Sequence, residues 1–169
     1  MQLRNEGHVK MLATDCDGCL TDGGMYFGAN GQAMKRFDVK DGYGLKMLQK
    51  AGVVVAWITA DESAITRARF EALEMDIIFD GVSNKLEALT CAAQGIGCDL
   101  AEVVYIGDDL SDLKVADAVG TFAAPANAAA EVLAAADVVT QQPGGHGAVR
   151  EVCEAIIAHN KRMDGDADG

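Results

Sequence analysis

Positive charge is scarce in this chain: 14 Lys and Arg stand against 26 Asp and Glu, a formal net charge of -12. Such a surface repels a phosphate backbone, so no nucleic-acid partner is expected, and an anionic ligand needs local cations or a metal to enter. No apolar run approaches the length of a membrane span, and residues 1–7 carry no apolar signal core. A soluble, cytoplasmic protein without a membrane partner is expected. Disulfide chemistry is poorly provided for as well. The five cysteines are odd in number and irregular in spacing, which suits reduced thiols. Cys16 and Cys19 form a C-x-x-C without a second pair at zinc-finger spacing. Redox or zinc use competes there with Cys16 as a small filler between two aspartates. Aromatics make up only 5% of the chain and hydrophobic residues 50%, the balance of an aliphatic α/β interior. At 169 residues the chain is long enough to bury a real core within one domain.

What is present gathers first in residues 9–23. Val9, Met11, Leu12 and Ala13 belong to a short, mostly apolar run that ends at Thr14, Asp15 and Asp17. That is the usual mark of a buried parallel strand. Side chains at i and i+2 of an extended segment point to the same side. Two carboxylates held close repel unless one is protonated or a cation lies between them. A hard divalent cation such as Mg²⁺ is the economical remedy, since it prefers carboxylate oxygens. Gly18 then lets the chain turn sharply. On its own, the stretch reads equally well as an acidic turn after a core strand.

The remainder alternates. Ala29-Asn30-Gly31 separates apolar-containing runs at 24–27 and 34–37, which predicts a β-hairpin. A helix opening at Asp41 and ending near Gly52 leads to a strand over 53–59 and a helix over 62–74. A strand over 77–79, a helix from a Ser83 N-cap through Ala93, and a strand over 103–106 follow, the last stopping at Gly107-Asp108-Asp109. A short helix, a strand over 119–123, a helix over 127–134, a strand at 138–139 and a helix over 148–159 complete the order. The fold expected is α/β: a Rossmann-like parallel sheet flanked by helices, with a β-hairpin after the first strand and no cap domain. Residues 1–160 are expected to be a single domain and 161–169 a flexible acidic tail.

In such sheets, ligands bind beyond the carboxyl ends of the strands. Asp15, Asp17, Thr59, Lys85, Asp108 and Asp109 all fall at that one rim. Taken singly, each has an ordinary alternative: solubilising acids, a strand-end Thr, a solvated Lys. A shared rim favours a site. Three carboxylates can hold one Mg²⁺ that also takes water and a phosphate oxygen. One aspartate can attack phosphorus, and a second can protonate the leaving oxygen and later activate water. The Thr59 hydroxyl can hold a phosphoryl oxygen, and Lys85 supplies charge among crowded anions.

The stretch Asp15-Cys16-Asp17-Gly18-Cys19-Leu20-Thr21-Asp22-Gly23 resembles the first motif of haloacid-dehalogenase-superfamily phosphatases, and Thr59, Lys85 and Gly107-Asp108-Asp109 match the other three in order. Lys40-Asp41-Gly42-Tyr43-Gly44, residues 81–85 and residues 144–151 add matches to the capless branch that includes 3-deoxy-D-manno-octulosonate 8-phosphate phosphatase. The resemblance implies a HAD-like fold and Mg²⁺-dependent hydrolysis of a phosphorylated 3-deoxy-2-keto sugar acid through an aspartyl-phosphate. It implies Asp15 as nucleophile and metal ligand, and Asp17 as general acid/base and as a ligand through its backbone carbonyl. Asp108 is implied as the remaining metal carboxylate, with Asp109 supporting it, and Thr59 and Lys85 as phosphate-binding and charge-stabilising groups. A homotetramer is implied too, which would cover the apolar Met25, Tyr26 and Phe27 of the hairpin.

Substrate contact is expected from Ala60, Asp61 and Arg69; Arg69 matches an arginine of the relatives, whereas at Ala60 and Asp61 the chain departs from them. Ala60 replaces their usual Gly, and a positive φ there would be costly. Asp61 stands where the octulosonate branch has Arg and phosphatases of nine-carbon sugar-acid 9-phosphates have Glu. Arg69 could meet a substrate carboxylate or be a solvated helix arginine, and Arg150 is ambiguous in the same way. A nonulosonate 9-phosphate phosphatase and a silent oligomerisation module linked to sugar-nucleotide synthesis therefore stay open as alternatives. A phospho-accepting receiver domain fits poorly, because the strand over 53–59 ends in Thr.

Overall fold

In the computed structural model, which describes residues 1–167, β1 (Met11–Thr14) leads through a tight turn (Cys16–Leu20) into a hairpin of β2 (Tyr26–Gly28) and β3 (Gly31–Met34). Then follow α1 (Val39–Lys50), β4 (Val54–Ile58), α2 (Ala64–Ala72), β5 (Ile77–Phe79), α3 (Lys85–Gly95), β6 (Val103–Ile106) and α4 (Leu113–Ala116). The order closes with β7 (Thr121–Ala124), α5 (Ala130–Ala135), β8 (Val138–Val139) and α6 (Ala148–Ala167). Six strands form one sheet in the order β5-β4-β1-β6-β7-β8, every neighbouring pair parallel. Strand β1 is buried on both faces, which is why it reads as an uninterrupted apolar run. The chain runs outward from β1 through β4 to β5, then returns to the other side of β1 for β6, β7 and β8. That reversal opens a crevice at the carboxyl end of β1.

Two apolar layers hold the sheet. On one face Leu45 and Leu48 of α1 meet Val149, Val152 and Ile156 of α6, with Phe70 of α2 packed against them. On the other, Leu89 and Ala92 of α3 meet Val115 of α4 and Val132 of α5. Asp41, placed in the first turn of α1, reaches across to α6: it accepts from Gly147 N–H at 3.1 Å and Arg150 N–H at 2.8 Å. It thereby satisfies amides that the start of α6 would leave unpaired. Gly42 and Gly44 bring α1 close to its neighbours, since a Cβ on either would press on Arg69 or Arg150.

Several boundaries differ from those expected. The hairpin turns at Ala29-Asn30, and Gly31 already pairs with Gly28, so Gly31 starts β3 instead of sitting in the turn. Its φ of +105° is readily adopted by Gly alone. Helix α1 starts at Val39 because Asp38 accepts from Lys40 N–H, and α3 starts at Lys85 because Asn84, not Ser83, accepts from Glu87 N–H. Helix α6 continues past His159 to Ala167. Its later turns are tied to the start of the chain: His159 Nε2 bonds Gly7 O at 2.9 Å, and the Asn160 amide bonds both Val9 N–H and Val9 O. Residues 168–169, the end of the expected tail, lie outside the described residues.

Candidate active site

Each strand that borders the crevice ends in a polar group. The backbone of Asp15 leaves β1 by donating to Ile106 O, and the chain then folds into the turn Cys16–Leu20. Gly18 sits in that turn at φ +89°, and a Cβ there would overlap the Asp108 carboxylate. Thr59 follows β4, Lys85 is the first residue of α3 and Asp108 follows β6. Thr59 also organises the loop before Lys85, donating its N–H to Phe79 O and accepting from Val82 N–H through its own carbonyl. These groups line one cleft of about 200 Å³, together with Asp17, Ala60, Asp61, Asp109 and Ser111.

One wall is overloaded with negative charge. Asp15, Asp108 and Asp112 offer carboxyl oxygens that all lie within 4.8 Å of one another. Lys85 Nζ lies 3.1 Å from Asp15 Oδ1 and 2.7 Å from Asp112 Oδ1. Burial, with help from the charges of Asp112 and Asp108, pushes the Asp15 carboxyl up to about 8 despite Lys85. Burial and then Asp112 push Asp108 up to about 6. Burial works against the Lys85 charge as well, but Asp15 and Asp112 outweigh it and its pKa is raised. With all three carboxylates ionised, one ammonium leaves two negative charges, the complement of one divalent cation.

Asp112 carries no expectation from the sequence, and its oxygens are already committed. Oδ1 accepts from Lys85 and from Tyr105 Oη at 2.6 Å, and Oδ2 accepts from the N–H groups of Asp108 and Asp109. It holds Lys85 and the Asp108 loop in place, and leaves Asp15 and Asp108 as the carboxylates with free lone pairs. Gly107 makes room for it, since a Cβ there would overlap its carboxyl group. An acid three residues beyond Asp109 is a capping-like spacing that could have flagged it.

The other wall holds Asp17. It lines the same cleft as Asp15. The strand stops at Thr14, and the Asp17 carboxylate, carried on the turn that follows, is not one of the three that cluster. There Asp17 Oδ1 accepts from the Thr21 hydroxyl at 3.1 Å and Oδ2 from Lys35 Nζ at 2.7 Å. Lys35 stands just beyond β3 and also donates to Asp61 Oδ2 at 2.6 Å and to Thr66 Oγ1 at 3.1 Å. Nothing in the run Met34-Lys35-Arg36-Phe37 marks this lysine, which reads as an outward residue of a strand.

Ala60 needs no glycine-like backbone: among the described residues Glu74 is the one non-glycine at positive φ. Asp61 N–H donates to Thr59 Oγ1 at 3.2 Å, closing the loop and leaving the Thr59 hydroxyl proton free to be donated elsewhere. Arg69 is not brought to the cleft within one chain. Its guanidinium lies 5.8 Å from the Phe37 ring centre. Arg150 pairs with Glu154 and lies over Tyr43.

Residues 49–152 match the family model of the haloacid dehalogenase-like hydrolases. The chain is 36% identical over 157 residues to 3-deoxy-D-manno-octulosonate 8-phosphate phosphatase of Escherichia coli strain K12, covering 93% of this chain and 84% of that one. Among solved structures, the Moraxella catarrhalis phosphatase of that name, in complex with magnesium ion, phosphate ion and KDO, superposes with a TM-score of 0.88 at 37% identity, covering 95% of this chain and 92% of that one. The cobalt-bound Haemophilus influenzae phosphatase superposes with a TM-score of 0.88 at 38% identity, covering 92% and 91%.

Proposed function

The chain belongs to the haloacid dehalogenase-like hydrolases, on the branch of the 3-deoxy-D-manno-octulosonate 8-phosphate phosphatases, and from that premise we propose that it is a Mg²⁺-dependent phosphatase of this sugar-acid phosphate. The observation that carries the reading is the cluster of three carboxyl groups against one ammonium around Asp15 at the carboxyl end of β1. Asp15 and Asp108, with the Asp17 backbone carbonyl, would hold Mg²⁺, which when bound draws charge from the phosphoryl oxygens. Asp15 attacks phosphorus as the bond to the sugar oxygen breaks, and Asp17 delivers a proton to that oxygen. Water then attacks the aspartyl-phosphate, Asp17 takes the water's proton, and phosphate leaves with the Asp15 carboxylate restored. The Thr59 hydroxyl and Lys85 hold the phosphoryl oxygens, and Asp112 keeps Lys85 in position. Ala60 and Asp61 form the wall that the sugar passes, and Arg69 would reach a substrate only across a subunit boundary.

A homotetramer is part of the same proposal. Met25, Phe27 and Met34 in and beside the hairpin and Tyr43 of α1 are each exposed, apolar surface of the kind that a partner chain covers. Mg²⁺-dependent phosphate release from the eight-carbon and nine-carbon sugar-acid phosphates, beside an aryl phosphate, tests the reading. The eight-carbon substrate is expected to be strongly preferred. Asp15→Asn is expected to fold normally and lose turnover by at least about 1000-fold, because the nucleophile itself is gone. Retained turnover in that variant would overturn the mechanism, and a preference for the nine-carbon ester would move the substrate.

A further inference from the structure

Lys35 lies on the hairpin, outside every element that supplies the groups named above, yet its ammonium sits against the cleft wall. Its side chain is only 2% exposed. Its three acceptors are Asp17 Oδ2 at 2.7 Å, Asp61 Oδ2 at 2.6 Å and Thr66 Oγ1 at 3.1 Å. An ammonium has three hydrogens to donate. All are spent on the protein, so none is left for a substrate. Lys35 is therefore a fixed cation between two aspartates. Asp61 in turn commits its Oδ2 to Lys35, while its side chain, 38% exposed, still lines the cleft.

Resting on the phosphatase reading, we propose that Lys35 is a positioning residue: it holds the Asp17 carboxylate where a leaving oxygen must receive its proton, and Asp61 acts on the reaction through Lys35. The physical ground is geometric. Asp17 stands in a turn, and among the described residues only the Thr21 hydroxyl and Lys35 fix its carboxylate. With Lys35 removed, one oxygen loses its anchor and the carboxylate swings among rotamers, so that fewer encounters find the proton in line.

General-acid assistance matters most where the leaving oxygen is a poor leaving group, which sets the test. A series of aryl phosphates graded in leaving-group pKa, all lacking the sugar, reports proton donation without sugar contacts. The wild-type enzyme should show kcat/KM that depends only weakly on leaving-group pKa. Lys35→Met should lose about 10- to 100-fold on the poorest leaving group and less than about 3-fold on the best, steepening the dependence. Asp61→Asn should steepen it in the same sense by less, and Lys35→Met/Asp61→Asn together should match Lys35→Met alone, as a shared route requires. A parallel drop across the series in Lys35→Met, or losses that multiply in the double variant, would overturn the assignment. If far-UV circular dichroism shows that Lys35→Met does not fold, the slope of Asp61→Asn decides: unchanged overturns it, steeper supports it. A wild-type enzyme that releases no phosphate from any ester would remove the phosphatase reading itself, and this inference with it.

Discussion

Two lysine side chains are sealed from water around the cleft, one for each aspartate of the first turn, and they are built differently. Lys85 is 4% exposed and pairs with Asp15 and Asp112, whose side chains are 10% and 0% exposed. Lys35 is 2% exposed and pairs with Asp17 and Asp61, whose side chains are 39% and 38% exposed. Around Lys85 the acids are sealed from water and outnumber the cation, with Asp108 adding a third. Around Lys35 water reaches both acids and shares in neutralising them. The first half is incomplete without a further positive charge. The second stands on its own. The proposed roles, a nucleophile at Asp15 and a proton carrier at the Asp17 carboxylate, match that division of labour.

The same substitution at the two lysines separates the halves most sharply. Lys85→Met strands two buried carboxylates and should cost about 3 kcal/mol or more in urea unfolding of the metal-free protein, because a buried charge without a partner is expensive. Lys35→Met leaves acids that water can resolvate, and solvent screening reduces its cost to about 1 kcal/mol. Equal losses would mean that the exposure of Asp17 and Asp61 does not buffer the loss of their cation, and the contrast between the walls would fail.

The Asp15 wall should also respond to pH and metal together. Its carboxyl titrates near 8 in the fold against an ordinary value of 3.8, and Asp108 near 6 against the same value. A group with a raised folded pKa keeps its proton longer in the folded state. The folded state therefore binds more protons than the unfolded one between pH 4 and 8, and stability falls as pH rises through that window. Metal-free protein should lose thermal stability from pH 5 to pH 8, and Mg²⁺ should restore more of it at pH 8, releasing protons as it binds. A magnesium-induced rise in Tm that is the same at both values would mean that these carboxylates are already ionised in the fold.

The two walls were not equally legible in the sequence. Asp15, Thr59, Lys85 and Asp108 each end or follow an apolar run, so the period of the runs alone brings them to one rim. Asp112 and Lys35 are set by tertiary packing. Asp112 falls in a short helical turn where an acid ordinarily faces water, and Lys35 sits where a hairpin residue ordinarily does. The long final helix was cut short because the partners of His159 and Asn160, Gly7 and Val9, lie at the opposite end of the chain.

Ala60 joins the two walls, since Thr59 before it faces the phosphate side and Asp61 after it faces Lys35. The hydrogen bond from Asp61 N–H to Thr59 Oγ1 closes this joint at 3.2 Å. Because Ala60 does not occupy a positive φ, glycine would gain nothing in the folded state and would add freedom to the unfolded one. Ala60→Gly should therefore lower stability by about 0.5–1 kcal/mol and change kcat/KM by less than about 3-fold. Its effect is the smallest of these, and its sign is informative. A gain of more than about 10-fold in kcat/KM would mean that the working enzyme visits a backbone conformation at residue 60 that alanine resists. The walls would then move against each other during turnover, and the distances between Lys35, Asp17 and Asp61 would describe one position of that movement.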